Sequence, residues 1–107
     1  MRQIGPVELA RWIADDNGAQ PLLLDVREPW EVEIARIPDS LALPMHEIPA
    51  RLDAIARDRP IVCICHHGVR SLHVAMFLAR QGFDPIFNLA GGIDAWAREV
   101  DPNCPTY

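Results

Sequence analysis

Four short apolar runs punctuate the chain, at residues 22–26, 40–43, 61–65 and 86–89, and turns or stretches of helical period fill the gaps between them. Runs of four or five residues suit strands better than helices. The clearest is Ile61-Val62-Cys63-Ile64-Cys65, rich in β-branched residues and entered directly after Pro60. An unbroken apolar run of this kind belongs in a sheet covered on both faces. Leu22-Leu23-Leu24-Asp25-Val26, Ser40-Leu41-Ala42-Leu43 between Pro38 and Pro44, and Ile86-Phe87-Asn88-Leu89 read as further strands.

The intervening stretches carry the other period. Leu9, Trp12 and Ile13 fall on one face of a helix that opens near Pro6 and closes at Asn17-Gly18. Residues 28–34 form a short helix with Pro29 in its first turn, and residues 48–55 carry Leu52 and Ile55 at helical spacing. Residues 72–81 form a helix closed by Gly82, apolar on more than one side and so covered by more than one neighbour. Ile93, Trp96 and Ala97 mark one face of a last helix after a Gly91-Gly92 turn, and residues 101–107, with Pro102 and Pro105, read as irregular. Strands alternating with helices predict an α/β fold, a sandwich with a central, mainly parallel sheet of about five strands. At 107 residues the chain is expected to be a single domain, residues 1–107.

Composition removes several kinds of chemistry. The net charge is −5, and all ten basic residues are arginines. An acidic chain is poorly suited to neutralising nucleic-acid phosphates, and one without lysine has no Schiff-base or Walker-type lysine chemistry. No apolar run approaches the roughly 18 residues of a membrane span, and Met1-Arg2-Gln3-Ile4-Gly5-Pro6 has no secretory pattern. The expectation is a cytoplasmic protein with no nucleic-acid or membrane partner. Cys63, Cys65 and Cys104 form an odd set without disulfide spacing.

In parallel α/β sheets ligands bind at the carboxyl ends of the strands. After the run 61–65 comes Cys65-His66-His67-Gly68-Val69-Arg70-Ser71, then a helix. Free amides of the loop and of the first helical turn can converge there and add partial positive charge, which stabilises a thiolate. Gly68 permits backbone angles closed to other residues. Arg70 adds a permanent charge with a planar fork suited to an oxyanion.

Cys-x-x-Gly-x-Arg-Ser leading into an apolar helix resembles the active-site loop of the rhodanese (sulfurtransferase) family. Leu24-Asp25-Val26-Arg27-Glu28-Pro29-Trp30-Glu31 resembles its Asp-Val-Arg-x-x-x-Glu segment, residues 37–44 the segment after it, and Gly91-Gly92-Ile93-Asp94-Ala95-Trp96 its Gly-Gly-aromatic signature. Residues 100–107 look like tails of rhodanese domains fused to activating enzymes for ubiquitin-like proteins. The chain departs from the family at Ala35-Arg36, where Gly-His is frequent, and at Asp39-Ser40, where Gly-Ala is usual.

The resemblance implies a rhodanese-like three-layer sandwich and a ping-pong sulfur transfer with no metal or organic cofactor. Cys65 would be catalytic and carry a persulfide, with His66, His67, Gly68, Val69, Arg70 and Ser71 binding the donor. The partners implied are a small thiosulfate-like donor and a thiol or cyanide acceptor, with a protein donor or acceptor as a further option. Alternatives are a persulfide carrier between partner proteins and a phosphatase or arsenate reductase built on the same loop. Only four residues separate Cys65 from Arg70, one fewer than in the related phosphatases, and the loop has no Asp to act as a general acid.

Neighbouring residues receive other readings. Cys63 points the same way as Cys65 but deeper and is expected in the core; Cys104 is expected to be incidental. Protonated rings of His66 and His67 would favour the thiolate; the alternative is exposed loop side chains whose backbone does the work. A metal held by Cys63, Cys65, His66, His67 and His73 lacks a second ligand pair at structural-zinc spacing. Asp25, Arg27 and Glu31 are expected to act structurally, through a bridge from Arg27 to Glu31, and Trp12, Trp30 and Trp96 to pack.

Overall fold

A computed structural model describes all residues, 1–107. In chain order the elements are β1 (Arg2–Ile4), α1 (Pro6–Ala14), β2 (Leu22–Asp25), α2 (Pro29–Ile34), β3 (Leu41–Ala42), β4 (Ile61–Ile64), α3 (Val69–Arg80), β5 (Ile86–Leu89) and α4 (Gly92–Glu99). The five strands form one sheet in the order β1-β5-β4-β2-β3, and every pairing is parallel.

The pleat sends alternate side chains to opposite faces and divides the core in two. Leu24, Ile61, Cys63, Cys65 and Ile86 pack against Val74, Ala75 and Leu78 of α3, with Ile48 and Ile55. Leu23, Val62, Ile64 and Leu89 pack against Leu9 of α1 and Ile93, Trp96 and Ala97 of α4. The result is a three-layer α/β sandwich. β2 leads on to β3 at one edge while β4 leads on to β5 toward the other, so the loops leaving β2 and β4 part where these adjacent strands end. Such a divergence opens a crevice at the carboxyl end of a sheet.

The structure departs from the sequence reading in several places. Residues 48–55 form no α-helix; two 3₁₀ turns, Met45–Ala50 and Leu52–Ala54, take their place. Pro49 lies inside the first turn, where its missing N–H and its ring oppose an α-helical ladder. The first helix ends at Ala14, short of Asn17-Gly18. β1 has only three residues, two of them exposed, and left no periodic signal; its register with β5, Arg2 to Phe87 through Ile4 to Leu89, is a tertiary pairing. Finally, Arg27 does not bridge to the Glu31 carboxylate. It pairs with Asp25 at 2.7 Å, while Glu31 pairs with Arg70 at 2.7 Å.

Candidate active site

β4 ends at Ile64 and α3 begins at Val69, so Cys65-His66-His67-Gly68 is the whole connection. Cys65 is 1 % exposed, its sheet side set among the apolar residues under α3. Its sulfur nevertheless meets polar groups: the Gly68 N–H donates to Sγ at 3.1 Å and Ser71 Oγ lies 3.2 Å away. Ser71, in the first turn of α3, is fully buried and brings its hydroxyl back over the loop.

The loop is held from behind by α4. The Ile93 N–H donates to the Cys65 carbonyl at 2.8 Å and the Asp94 N–H to the His66 carbonyl at 3.1 Å. In a trans peptide N–H and C=O point in opposite directions, so the amides of His66 and His67 are turned away from α4. On the same logic the Gly68 carbonyl, which accepts from Asn88 Nδ2 at 3.0 Å, turns the Val69 amide away from β5. The amides of His66, His67, Val69, Arg70 and Ser71 find no acceptor in the protein. Unpaired amides of a loop and of a helix's first turn, beside one sulfur, have the form of an anion cradle.

Two glycines make this approach possible. Gly68 adopts φ +99°, and a Cβ there would lie 3.2 Å from Gly91 N and Leu89 O. Gly92 adopts φ +62°, and a Cβ on it would collide with the carbonyl oxygens of Cys65 and His66. Gly91-Gly92 is therefore more than a turn; it lets the end of α4 touch the cysteine loop.

Beside the loop lies an ionic network from the end of β2. Arg27 is fully buried, and all five of its guanidinium N–H donors are used: Nε and Nη2 on Asp25 at 2.9 and 2.7 Å, Nη2 on the Ala35 carbonyl at 2.6 Å, and Nη1 on the Glu31 carbonyl at 3.2 Å and the Tyr107 hydroxyl at 2.8 Å. Burial opposes its charge, but the bonds to Asp25 and Tyr107 prevail and raise its pKa. The Glu31 carboxylate accepts two bonds from Arg70, at 2.7 and 2.8 Å, one from the Tyr107 hydroxyl at 2.9 Å and one from the Glu28 N–H at 2.9 Å. The Arg70 guanidinium, with burial working against it, holds the Glu31 carboxyl down at about 2; Glu31 in turn raises the pKa of Arg70.

The histidines behave differently from one another. The His66 ring is sandwiched between His67, at 3.9 Å between centroids, and Tyr107, at 4.0 Å. Burial, and then the neighbouring His67, push it below the ordinary histidine range, so it is neutral at pH 7 and supplies no charge to the thiolate. His67 is exposed, with Nδ1 3.9 Å from Asp94. Cys63 is fully buried, and burial followed by the nearby Cys65 pushes its thiol up to about 12. Cys104 packs under the opposite face of the sheet, and burial raises its thiol too.

The loop residues singled out in the sequence thus come together, but two members of the site were missed. Asn88, buried in β5, touches Ser71 and Gly68; a lone amide in the run Ile86-Phe87-Asn88-Leu89 was its only trace. Tyr107 reaches back from the irregular tail to Arg27, Glu31 and His66, a contact no local pattern encodes.

A parallel α/β sandwich with a cysteine loop of this form defines a class, and comparison with known proteins agrees with it. Residues 6–99 match the model of the rhodanese-like domain. A sulfurtransferase of Allochromatium vinosum is 42% identical over 102 residues, covering 95% of this chain and 94% of that protein. The thiosulfate sulfurtransferase GlpE of Pseudomonas syringae is 37% identical, covering 70% of this chain and 71% of its own length. The crystal structure of a rhodanese-related protein from Thermoplasma volcanium superposes with a TM-score of 0.84 at 32% identity, covering 94% of each chain. The chain belongs to the rhodanese-like domain family. No helix in it is long and apolar enough to cross a membrane.

Proposed function

We propose that this chain transfers a sulfane sulfur from thiosulfate or a related donor to a thiophilic acceptor through a persulfide on Cys65. The Cys65 thiolate attacks the outer sulfur of the donor. The new Sγ–S bond forms as the sulfur–sulfur bond of thiosulfate breaks, and sulfite leaves with the bonding electron pair. The acceptor, a thiol or cyanide, then attacks the terminal sulfur and returns Cys65 to the thiolate, which gives ping-pong kinetics. The amides of His66, His67, Gly68, Val69, Arg70 and Ser71 would bind the terminal sulfur anion, as an oxyanion hole holds oxygen. Arg70 keeps its Nε–H and one N–H on each Nη clear of Glu31, and these donors suit the sulfonate of the donor.

The observation that carries this reading is the unpaired amide set beside a sulfur that already accepts from Gly68. The test is mass spectrometry of the intact chain after incubation with thiosulfate. A gain of one sulfur atom on Cys65, removed by cyanide and absent in Cys65→Ser, is the expected result. An adduct on Cys63 or Cys104 instead would overturn it.

A protein acceptor or donor has an observation in its favour as well. Val69, the first residue of α3, is 63% exposed, and Trp30, expected to pack, lies edge-on to Tyr107 and is 59% exposed. Exposed apolar side chains next to the cysteine loop and to Tyr107 suit contact with a docked polypeptide. Slow thiosulfate turnover together with fast loading by a persulfidated protein would make the chain a carrier; fast thiosulfate turnover would make it an enzyme of small donors.

A further inference from the structure

Asn88 lies outside the cysteine loop, yet it governs the hydroxyl that faces the sulfur. Its amide makes three contacts: Nδ2 with the Gly68 carbonyl at 3.0 Å and Gln3 Oε1 at 3.0 Å, and Oδ1 with Ser71 Oγ at 2.5 Å. A backbone carbonyl can only accept, so the nitrogen must face Gly68 and the oxygen must face Ser71. Ser71 therefore donates its hydroxyl hydrogen to Asn88. Ser71 has one such hydrogen and two acceptors in reach, Asn88 Oδ1 and Cys65 Sγ at 3.2 Å. While Cys65 is a thiol, its S–H can donate to Ser71 Oγ and every group is satisfied. Once the thiol has lost its proton to water, the sulfur can only accept, and the Ser71 hydrogen serves it only by leaving Asn88.

We propose that Asn88 is a positioning residue that sets how readily Cys65 becomes a thiolate, by competing with the sulfur for the single hydrogen of Ser71. The competition is local: Ser71 is fully buried and Asn88 is 1 % exposed, so water does not supply a substitute partner. Asn88 sits opposite Cys63 in the β4–β5 register and on the α3 side of the sheet, which fixes its amide beneath the first turn of α3. The inference rests on Cys65 being the sulfur-carrying residue, but it concerns the thiol alone.

The test reads the thiol and not sulfur transfer. The full-length chain is alkylated with iodoacetamide across pH, and the rate at Cys65 is followed by mass spectrometry, with fully buried Cys63 as the internal control. Asn88→Ala removes the competitor, and the pH midpoint falls, raising the rate below the midpoint by about three- to tenfold, the range of one hydrogen bond. Asn88→Asp strengthens the competitor, and the midpoint rises. In a Ser71→Ala background the effect of Asn88→Ala disappears and that of Asn88→Asp shrinks.

A residue that merely supported the loop would move both variants in the same direction, in either background. Same-signed shifts, no shift, or shifts of full size without Ser71 overturn the proposal. If Asn88→Ala fails to fold, Asn88→Asp decides alone: an equal rise with and without the Ser71 hydroxyl rejects the competition. Failure of the persulfide test with the alkylation result intact would remove the sulfur-transfer reading and leave this one standing.

Discussion

The loops leaving β2 and β4 end side by side, yet they treat hydrogen bonds in opposite ways. After β2, the Arg27 donors, the Asp25 and Glu31 carboxylates and the Tyr107 hydroxyl all have partners in the chain. After β4, five successive or near-successive amides have none, and Gly68 gives its N–H to a sulfur. A region with every polar group paired is rigid and chemically inert. A region whose donors are held in place but left unpaired is ready for an anion, with the ordering cost already met by folding. The contrast argues that the Asp25–Arg27–Glu31 cluster is scaffold and the Cys65 loop is the reacting surface, although both are rich in charge and polar groups.

Removing Arg27 should break the first half of that contrast hardest. Arg27→Met leaves the buried Asp25 carboxylate without its countercharge, held only by the residue-27 backbone N–H, and strands the Ala35 carbonyl. Loss of one member of a buried pair costs about 3–5 kcal/mol, to be read from urea denaturation. A loss below about 1 kcal/mol would mean that the network behaves like a surface pair.

Acid should dissolve the junction between the two loops next. The Glu31 carboxyl is lowered from 4.5 to about 2 in the folded chain. A depressed carboxyl contributes stability that is fully present above the unfolded value and is lost as pH falls through the folded one. The window is therefore pH 4.5 down to about 2, and a shift of this size corresponds to about 3 kcal/mol at most. Glu31→Gln should be less stable at pH 7 and should show a flatter dependence over that window. Parallel acid limbs for the two proteins would show that Arg70 does not hold Glu31 in solution.

Gly92→Ala tests the second half. Its Cβ would force the carbonyls of Cys65 and His66 away from α4, and misplacement of a reacting group by about 1 Å costs on the order of 100-fold in rate. Persulfide formation should fall by about that factor, and more than stability does. An unchanged rate would mean that the loop holds its shape without α4.

The same contrast explains what the sequence made legible. Strand runs, the helix after Cys65 and the loop itself were readable because they rest on local periodicity and on a contiguous motif. Even the two-faced burial of residues 61–65 was visible in their unbroken apolar run. What escaped was partnership across long separations. Arg27 and Glu31 stand four apart, the spacing of an ion pair on a helix, but Arg27 precedes α2 and extended backbone there turns it back to Asp25. Glu31 was left for Arg70, 39 residues away. The 3₁₀ turns at residues 45–54 escaped for a different reason: Leu52 and Ile55 suit a helical period, and Pro49 outweighs it.

Tyr107 is the extreme of that long-range kind, 80 residues from Arg27 and 76 from Glu31, and it calls for the mildest test. Its hydroxyl accepts from Arg27 Nη1 and donates to Glu31 Oε1, while its ring stacks on His66 and meets Trp30 edge-on at 6.0 Å. Tyr107→Phe keeps the stack and removes the bridge, leaving one buried Arg27 N–H without a partner. The expected cost is about 1–2 kcal/mol by denaturation, with the rate of persulfide formation at saturating donor changed by less than about threefold. The scaffold then softens while the cradle stays intact, because no loop amide depends on the phenol. A larger fall in rate than in stability would reverse the assignment, moving the tail from the inert side of the comparison to the reacting one.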